Sequence, residues 1–316
     1  MRIPLLVLFL AAFATQAQEP YPSRPIRVVV GYSAGGGNDL VVRALAPRLG
    51  EALGQPIVVE NRPGAQGIIA AELVAKSAPD GYTLLMGPSG PMTINPATYS
   101  KLPYSPTRDF APISMLGAFP LIVAVDPRLP VRSVKELVEY AKANPGKANY
   151  ASSAGIFQIA TELFKQKTGA PLEMISYKGS GESVQAVVAG QVTMTMVDPP
   201  PATGALKAGT VRGLAVTAAQ RHPSWPELPT LAELGMPDME VSVWMALFAP
   251  AHTPPAVIAR LQSEVARAVR SPDVKERFAG MGVDPVGGSS DALARQVARD
   301  IEKWTAVAKA AGIRND

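Results

Sequence analysis

The chain has 316 residues, no cysteine, and 30 basic against 26 acidic residues that are interspersed rather than clustered. Disulfides, thiol catalysis and a lipid-modified N-terminal cysteine are therefore excluded, and a nucleic-acid surface is not expected. The length is sufficient for two ordinary domains with their own cores, so no metal staple or other cofactor is expected.

The N-terminus has the layout of a secretory signal peptide. Arg2 precedes an apolar run at 3–14, and small residues follow up to Ala17. This run is shorter than the roughly 20 apolar residues that a membrane span needs. We expect cleavage after Ala17, or alternatively after Ala14, which removes residues 1–17 and releases a soluble protein into the periplasm.

The first part of the remaining chain alternates short β-branched runs with segments of helical periodicity. Strands are predicted at 26–30, 56–59 and 83–87, and helices at 39–53 and 66–77. This is a βαβαβ unit, which is typical of a parallel sheet covered by helices. Gly54 is predicted to cap the first helix, and Pro47 is expected to bend it. The stretch 88–112 is predicted to be a long ordered loop.

A second α/β series follows. Strands are predicted at 121–125, 148–152, 173–176, 192–197, 214–217 and 243–249, and helices at 134–143, 156–168 and 182–189. Three helices end the chain, the last at 291–311 behind Ser289 and Ser290 as possible caps. Because two strand-like crossings bracket the central block, we expect an inserted lobe of residues 121–243. The other lobe would combine 18–120 with 244–316, and the two would close by hinge bending.

The most informative segment is GYSAGGGND at 31–39, between the first predicted strand and the first predicted helix. Glycine lets the main chain approach a ligand, and the N–H groups at a helix start carry partial positive charge. The loop is therefore predicted to hold a carboxylate through main-chain donors, the alternative being a glycine-rich turn without a ligand. The candidate contacts are Tyr32, Ser33, Ala34, Gly35, Gly36, Gly37 and Asp39.

Other polar residues follow other predicted strands, at the edge where ligands of open α/β sheets gather. The candidates are Ser89, Ser152, Ser153, Lys178, Gly179 and Asp198. Helix capping is the alternative for the serines. Asp198 is alternatively a turn residue before the proline run 199–201, and Lys178 a solvated loop lysine.

A serine esterase is the enzymatic alternative, because Gly31, Ser33 and Gly35 match the Gly-x-Ser-x-Gly nucleophile elbow. The only histidines, His222 and His252, both lie in proline-rich loop sequence, so the base of a triad is missing. Zinc-protease and phosphate-loop motifs are absent as well. We therefore expect a binding protein rather than an enzyme.

One ordered series of segments extends over nearly the whole chain after residue 20. It consists of YPSRPIRVVV (21–30), AGGGND (34–39), LGQPIVVENRPGAQG (53–67), PDGYTLLMG (79–87), INP (94–96), YKGSGESVQAVVAGQV (177–192), LKAGTVRGLAVTAAQRHPSWPELPTLAELG (206–235), APAHTPPAVIARL (249–261) and DPVGG (284–288). Taken in this order, the series resembles the substrate-binding proteins of tripartite tricarboxylate transporters, the Bug family.

The resemblance implies an α/β fold of the type II periplasmic-binding-protein class, with two doubly wound lobes joined by two hinge strands and a ligand cleft between them. It implies a monomer that captures a small carboxylate, such as a dicarboxylate, an amino acid or an aromatic carboxylate. The family's carboxylate is held largely by main-chain N–H groups of the first loop and by waters. The expected partners are the membrane components of the transporter. A signalling receptor that docks onto a sensor kinase is the alternative.

Two segments on the second-lobe side depart from the family pattern. The segment 152–159 is shorter than the usual Ser-Gly-x-Gly-x-x-x-His-Leu and carries Gln158 where histidine is usual. A usual Phe-Asp-Asn is replaced by Val-Asp-Pro at 197–199. The added apolar residues Ile156 and Phe157 predict an apolar or aromatic body in the ligand.

Overall fold

The computed structural model describes residues 21–314, apart from the side chains of residues 310 and 311. The predicted signal peptide at 1–17 lies outside these residues. None of the helices in the described range has the length and apolar character that would span a membrane.

Strands and helices alternate along most of the described chain. The strands are β1 (Ile26–Val30), β2 (Ile57–Asn61), β3 (Thr83–Pro88), β4 (Phe110–Pro120), β5 (Ile122–Val125), β6 (Asn149–Ser152), β7 (Glu173–Ser176), β8 (Met194–Val197), β9 (Arg212–Val216), β10 (Ser242–Pro250) and β11 (Asp284–Pro285). The α-helices are α1 (Gly37–Leu53), α2 (Ile68–Ala75), α3 (Asn95–Thr98), α4 (Val134–Ala143), α5 (Gly155–Thr168), α6 (Ser180–Val188), α7 (Pro199–Lys207), α8 (Pro255–Val269), α9 (Pro272–Gly280) and α10 (Ser290–Ala311).

The strands form two sheets, each the centre of one lobe. The first lobe contains a six-stranded sheet in the order β11-β4-β10-β3-β1-β2, and the second lobe a five-stranded sheet in the order β7-β6-β8-β5-β9. The strands β1, β2 and β3 are parallel, as are β6, β7 and β8, whereas β10 and β5 run antiparallel to their neighbours. This is the predicted two-lobed α/β fold.

Strand β1 shows why the apolar runs form strands buried on both faces. Val28 and Val30 are fully buried in one apolar cluster, and Val29 is fully buried in another on the opposite side of the sheet. Side chains alternate along a strand, so helices on both faces require a continuous apolar run rather than an alternating one. This burial holds the strand's carboxyl end, where the first loop begins, in a fixed position.

The chain crosses from the first sheet to the second at Leu121 and returns at Val241, and Thr217 joins both crossings. The Thr217 hydroxyl accepts a hydrogen bond from the Leu121 N–H (2.8 Å) and donates one to the Val241 carbonyl (2.6 Å). The Thr217 main chain bonds both segments again, through its N–H to Leu121 O (2.9 Å) and its carbonyl to Val241 N–H (3.0 Å). Thr217 is 1% exposed, so these bonds are made away from water.

Two regions contain regular structure that the sequence did not predict. The stretch 88–112 includes a π-helical turn at 90–94, helix α3 and the start of β4, which pairs with β10 over its whole length. The proline run 199–201, for which the sequence predicted no element, opens helix α7. Proline suits a helix start because its φ is already helical and its missing N–H would have no partner there.

Two helix ends lie at the capping residues that the sequence predicts. Helix α1 is continuous through Pro47 and ends at Gly54, whose φ of 72° is left-handed. This confirms the predicted cap, whereas a bend at Pro47 stays a prediction. The Ser289 hydroxyl accepts from the Ala292 N–H (3.2 Å), as expected of an N-cap of α10.

Candidate functional site

The two lobes meet along the carboxyl ends of their parallel strands, and the cleft between them is closed. Ser33, after β1, donates its N–H to the Lys178 carbonyl after β7 (3.4 Å). Gly37, at the start of α1, donates its N–H to the Ser180 hydroxyl (3.3 Å). The sequence-predicted residues that follow β1, β3, β6, β7 and β8 therefore lie around one cleft.

In the first loop, residues 31–39, the three consecutive glycines donate their N–H groups within the protein. Gly35, in a left-handed conformation with φ of 79°, donates to the Asp39 carboxylate (3.0 Å). Gly36 donates to the Ser33 carbonyl (3.3 Å) and Gly37 to Ser180 (3.3 Å). The closed structure thus leaves these donors no free position for a ligand carboxylate, while Ala34 is exposed. That the ligand contacts this loop stays a prediction.

Asp39 organises the first loop from within. Its buried carboxylate also accepts hydrogen bonds from Arg43 Nε (2.8 Å) and Asn61 Nδ2 (3.0 Å). Burial opposes its ionisation, but the bonds from Arg43, Gly35 and Asn61 outweigh burial and hold the pKa of the Asp39 carboxyl below its ordinary value. The role of Asp39 in the closed structure is therefore to hold the loop and the start of α1 in place.

Asp198 reaches the first loop from the opposite lobe. It directly follows β8, is 1% exposed, and its Oδ2 would lie 1.6 Å from a Cβ built at Gly37. Burial raises the pKa of the Asp198 carboxyl to about 6, against the lowering influence of Ser180 and the Gly37 N–H. Its Oδ1 has no hydrogen-bond partner among the described residues. Because the following prolines 199–201 have no N–H to cap, the carboxylate points into the cleft instead.

The start of helix α5 forms the other part of the second-lobe side. Ser153 is 5% exposed, and its hydroxyl has no partner among the described residues. Ser152 donates its hydroxyl to the Ala154 carbonyl (3.3 Å). The first bond into α5 comes from the Phe157 N–H to Ala154 O (3.0 Å), so the N–H groups of Gly155 and Ile156 precede the helical bonding pattern.

The remaining predicted residues have distinct positions. Ser89, after β3, is 1% exposed with an unpartnered hydroxyl in the described structure. Tyr32 is buried in the cleft wall, its hydroxyl 3.4 Å from the Gln66 carbonyl. The side chain of Lys178 is exposed, so this residue joins the lobes only through its main chain. Gly179 packs on Ser33, and a Cβ added at Gly179 would lie 3.1 Å from the Ser33 Cβ.

A small cavity remains inside the closed cleft. Its volume is about 10 Å³, roughly what a single water requires. Any larger solute must therefore hold the lobes slightly farther apart. The lining residues are Tyr32, Asn38, Pro88, Gly90, Phe119, Ser153, Ala154, Ile156, Phe157, Ser180, Asp198 and Val243.

Sequence reasoning missed seven of these lining residues, of which Pro88, Gly90 and Ala154 adjoin the predicted Ser89 and Ser153. Asn38 has an unpartnered Oδ1 in the described structure and adjoins the predicted Gly37, so its position was the one available signal. Ser180 begins α6 directly after the predicted Gly179. Phe119 and Val243 lie beside the two crossings, where only the relative placement of the lobes brings them to the cavity.

The structure does not bring either histidine to Ser33. His222 accepts a hydrogen bond at Nδ1 from the Ser224 N–H (3.2 Å), and its Nε2 lies 3.8 Å from Asp284 Oδ1. His252 is exposed in the turn after β10, whose end lies opposite the carboxyl end of β3 because these strands are antiparallel. The geometry of a serine triad is therefore not assembled in the described structure.

Comparisons with known proteins agree on one family. The family model described as tripartite tricarboxylate transporter family receptor matches residues 41–313. The protein BugT of Bordetella pertussis is 37% identical over 304 residues, covering 95% of this chain and 93% of its own.

Two solved structures have the same fold. R. palustris Rpa4515 with adipate is 38% identical with a TM-score of 0.90, covering 93% of this chain and 99% of its own. The periplasmic binding protein BugD is 31% identical with a TM-score of 0.90, covering 94% and 100% respectively.

Proposed function

Because the chain belongs to the tripartite tricarboxylate transporter receptor family, we propose that it captures a small carboxylate in the periplasm for the membrane components of such a transporter. The observation that carries the proposal is the closed interlobe cavity with its unpartnered polar groups. Buried hydroxyl and carboxylate oxygens normally have partners, and leaving one unpaired costs about 1–3 kcal/mol. A solute between the lobes supplies the missing partners.

The start of α5 provides the features that a carboxylate needs. Its first N–H groups point out of the helix and carry partial positive charge, and the Ser153 hydroxyl beside them is free to donate. The related protein Rpa4515 is solved with adipate, a small dicarboxylate, which supports the same ligand class here.

The proposed mechanism is closure of two lobes around the solute. In this proposal residues 18–120 and 244–316 form one lobe, residues 121–243 form the other, and Thr217 lies at the hinge between them. The closed monomer then presents a surface that combines both lobes, which lets a transporter distinguish the loaded from the empty receptor.

A thermal-shift screen of ligand-stripped protein tests this proposal. Mono-, di- and aromatic carboxylates and amino acids are compared at equal concentration with matched compounds that lack the carboxylate. A ligand at 100 times its Kd adds about 2.7 kcal/mol to the free energy of unfolding, so a true ligand raises the Tm by several degrees. If no carboxylate raises the Tm more than its matched neutral compound does, the proposal is wrong.

A further inference from the structure

The lobes also meet away from the interlobe cavity, at a tryptophan of the second lobe. Trp225, in the loop after β9, contacts the turn between α9 and β11 of the first lobe. A Cβ added at Gly282 in that turn would lie 2.0 Å from Trp225 Cη2 and 2.9 Å from Pro199 Cβ. Thr203 of α7 faces the same turn, its hydroxyl 3.5 Å from the Met281 carbonyl. Trp225 and Gly282 are not among the residues that line the cavity.

The turn that receives the indole is held firmly in the first lobe. Gly282 donates its N–H to the Ala279 carbonyl (3.0 Å), and Val283 donates its N–H to the Phe278 carbonyl (2.9 Å). Phe278 and Val283 are buried, and Asp284 begins β11, which pairs with β4. Gly282 has a φ of 70°, and its lack of a side chain lets the indole reach the main chain.

The indole is equally fixed in the second lobe. The His222 ring packs on it, with ring centroids 4.8 Å apart and the planes inclined by 32°. Trp225 donates its N–H to the His222 carbonyl (2.9 Å), and its own carbonyl accepts from the Leu228 N–H (3.1 Å). Because both surfaces are held in place within their own lobes, little conformational entropy is lost when they meet.

The contact buries apolar surface that belongs to two different lobes. Trp225 is 4% exposed, and the part of its ring against Gly282 is covered by the lobe that does not carry it. Separation of the lobes at this point would expose that surface to water. Burial of aromatic surface is favourable in proportion to its area, so the contact favours the closed form.

From these observations we propose that Trp225 is a positioning residue for solute capture, an indole latch that stabilises the closed lobes without touching the solute. The latch favours closure even before a solute binds. A solute that binds between closed lobes then has less of the free energy of closure to supply. This inference rests on the proposed closure of the two lobes, but not on the chemical class of the solute.

Distance measurements between two spin labels test the latch in ligand-stripped protein. The chain has no cysteine, so Val58→Cys and Met174→Cys provide two defined labelling sites. Both side chains are exposed, and they lie on β2 and β7, the edge strands on the far side of each sheet from the crossings. We expect the short distance of the closed lobes to predominate. In Trp225→Ala the ratio of closed to open protein should fall about tenfold or more.

A second variant blocks the latch from the first lobe and leaves the indole in place. Gly282→Ala adds a Cβ 2.0 Å from the Trp225 ring, so it should also increase the population with the long distance. Gly54→Ala is the matched control on the same lobe. Its φ of 72° gives a similar backbone strain, but no atom lies within 4 Å of the added Cβ. This control should keep the short distance.

The outcomes separate the latch from a merely structural contact and from the proposed function. If the labelled protein shows only the long distance, or if Trp225→Ala and Gly282→Ala leave the distances unchanged, the latch is overturned. Unchanged distances with a lower stability in urea would identify a contact that persists in the open form. Gly282→Ala decides the question even if Trp225→Ala fails to fold. No carboxylate enters this measurement, so a failed latch leaves carboxylate capture standing, and a failed thermal-shift screen leaves the latch standing.

Discussion

The glycines of the first loop and the second-lobe side of the cleft differ in how far their polar groups are satisfied. In the first loop, Gly35, Gly36 and Gly37 donate their N–H groups to protein acceptors, and Asp39 accepts three hydrogen bonds. On the second-lobe side, the Ser153 hydroxyl and Asp198 Oδ1 have no partners among the described residues. The glycines thus allow the lobes to fit together, whereas in the described structure unpartnered side-chain oxygens remain at Ser153 and Asp198 on the second lobe and at Asn38 and Ser89 on the first.

The largest predicted effect concerns the two buried acids, whose pKa values shift in opposite directions. Burial raises the pKa of Asp198 to about 6, so between pH 4 and pH 6 the folded protein binds more protons than the unfolded chain. Stability therefore falls as the pH rises through this window, by at most about 3 kcal/mol. Asp198→Asn should remove that cost, raising the free energy of unfolding at pH 7 and changing it little at pH 4.

Urea unfolding of both proteins at pH 4, 5, 6 and 7 measures this difference. Asp39→Asn is the opposing control, because the pKa of Asp39 is lowered by its partners. Its contribution is present above the ordinary carboxyl pKa and is lost as the pH falls, so that variant should be destabilised most at neutral pH. If the free energy of unfolding depends on pH in the same way for the natural protein and for Asp198→Asn, burial does not raise the pKa of Asp198, and the contrast with Asp39 is wrong.

The second prediction concerns the fit of the first loop. Gly37 has an ordinary backbone conformation, but a Cβ there would lie 1.6 Å from Asp198 Oδ2. Gly37→Val should therefore fold normally and fail to close, which lowers ligand affinity by about 100-fold, or about 2.7 kcal/mol. Small-angle scattering with saturating ligand should show the larger radius of gyration of the open form.

Gly35→Ala is the matched control for this substitution. Gly35 has a φ of 79° and no atom within 4 Å of a built Cβ. Alanine there strains the backbone by about 1 kcal/mol but leaves room for closure. If both variants lose the same affinity, ligand binding depends on the backbone conformation of the loop. The glycines would then not be required for lobe closure.

Much of the fold could be predicted from sequence because local signals determine it. The run IRVVV and the Gly54 cap each have a single physical interpretation, and each matches the structure. Of the two possible caps of the last helix, Ser289 and Ser290, the structure uses Ser289. Strand β4 has no such local signal, since its prolines and glycine discourage a strand assignment. Its pairing with β10, which is far away in sequence, decides its conformation.

The sequence could predict only those site residues that directly follow a predicted strand. Ser89, Ser153 and Asp198 follow buried strands, which sufficed to bring them to one cleft. The contact between Asp198 and Gly37 could not be predicted, because it depends on how two separately folded lobes face each other. For the same reason the exposed position of Lys178 was not apparent from sequence.

The third prediction concerns Thr217, which joins the two crossings between the sheets. Thr217→Val keeps the shape of the side chain and removes the buried hydroxyl that joins Leu121 to Val241. Loss of these two hydrogen bonds should lower the free energy of unfolding by about 2 kcal/mol, as measured in urea. Thr217→Ser retains the hydroxyl and should retain most of the stability. A Val variant as stable as the natural protein would show that the hydroxyl does not hold the crossings together.

The smallest predicted effect separates two adjacent serines on the second-lobe side. The Ser153 hydroxyl is buried and unpartnered, so Ser153→Ala removes a group that the folded protein leaves unsatisfied. Its stability without ligand should stay the same or rise, while ligand affinity falls by about fivefold, or about 1 kcal/mol. The Ser152 hydroxyl already donates to Ala154 O, so Ser152→Ala should instead lose about 1 kcal/mol of stability and retain its affinity. Titration and urea unfolding of both variants give the four values. If Ser152→Ala loses the affinity and Ser153→Ala the stability, the ligand does not bind where the unpartnered oxygen lies, and the assigned roles of the two serines are reversed.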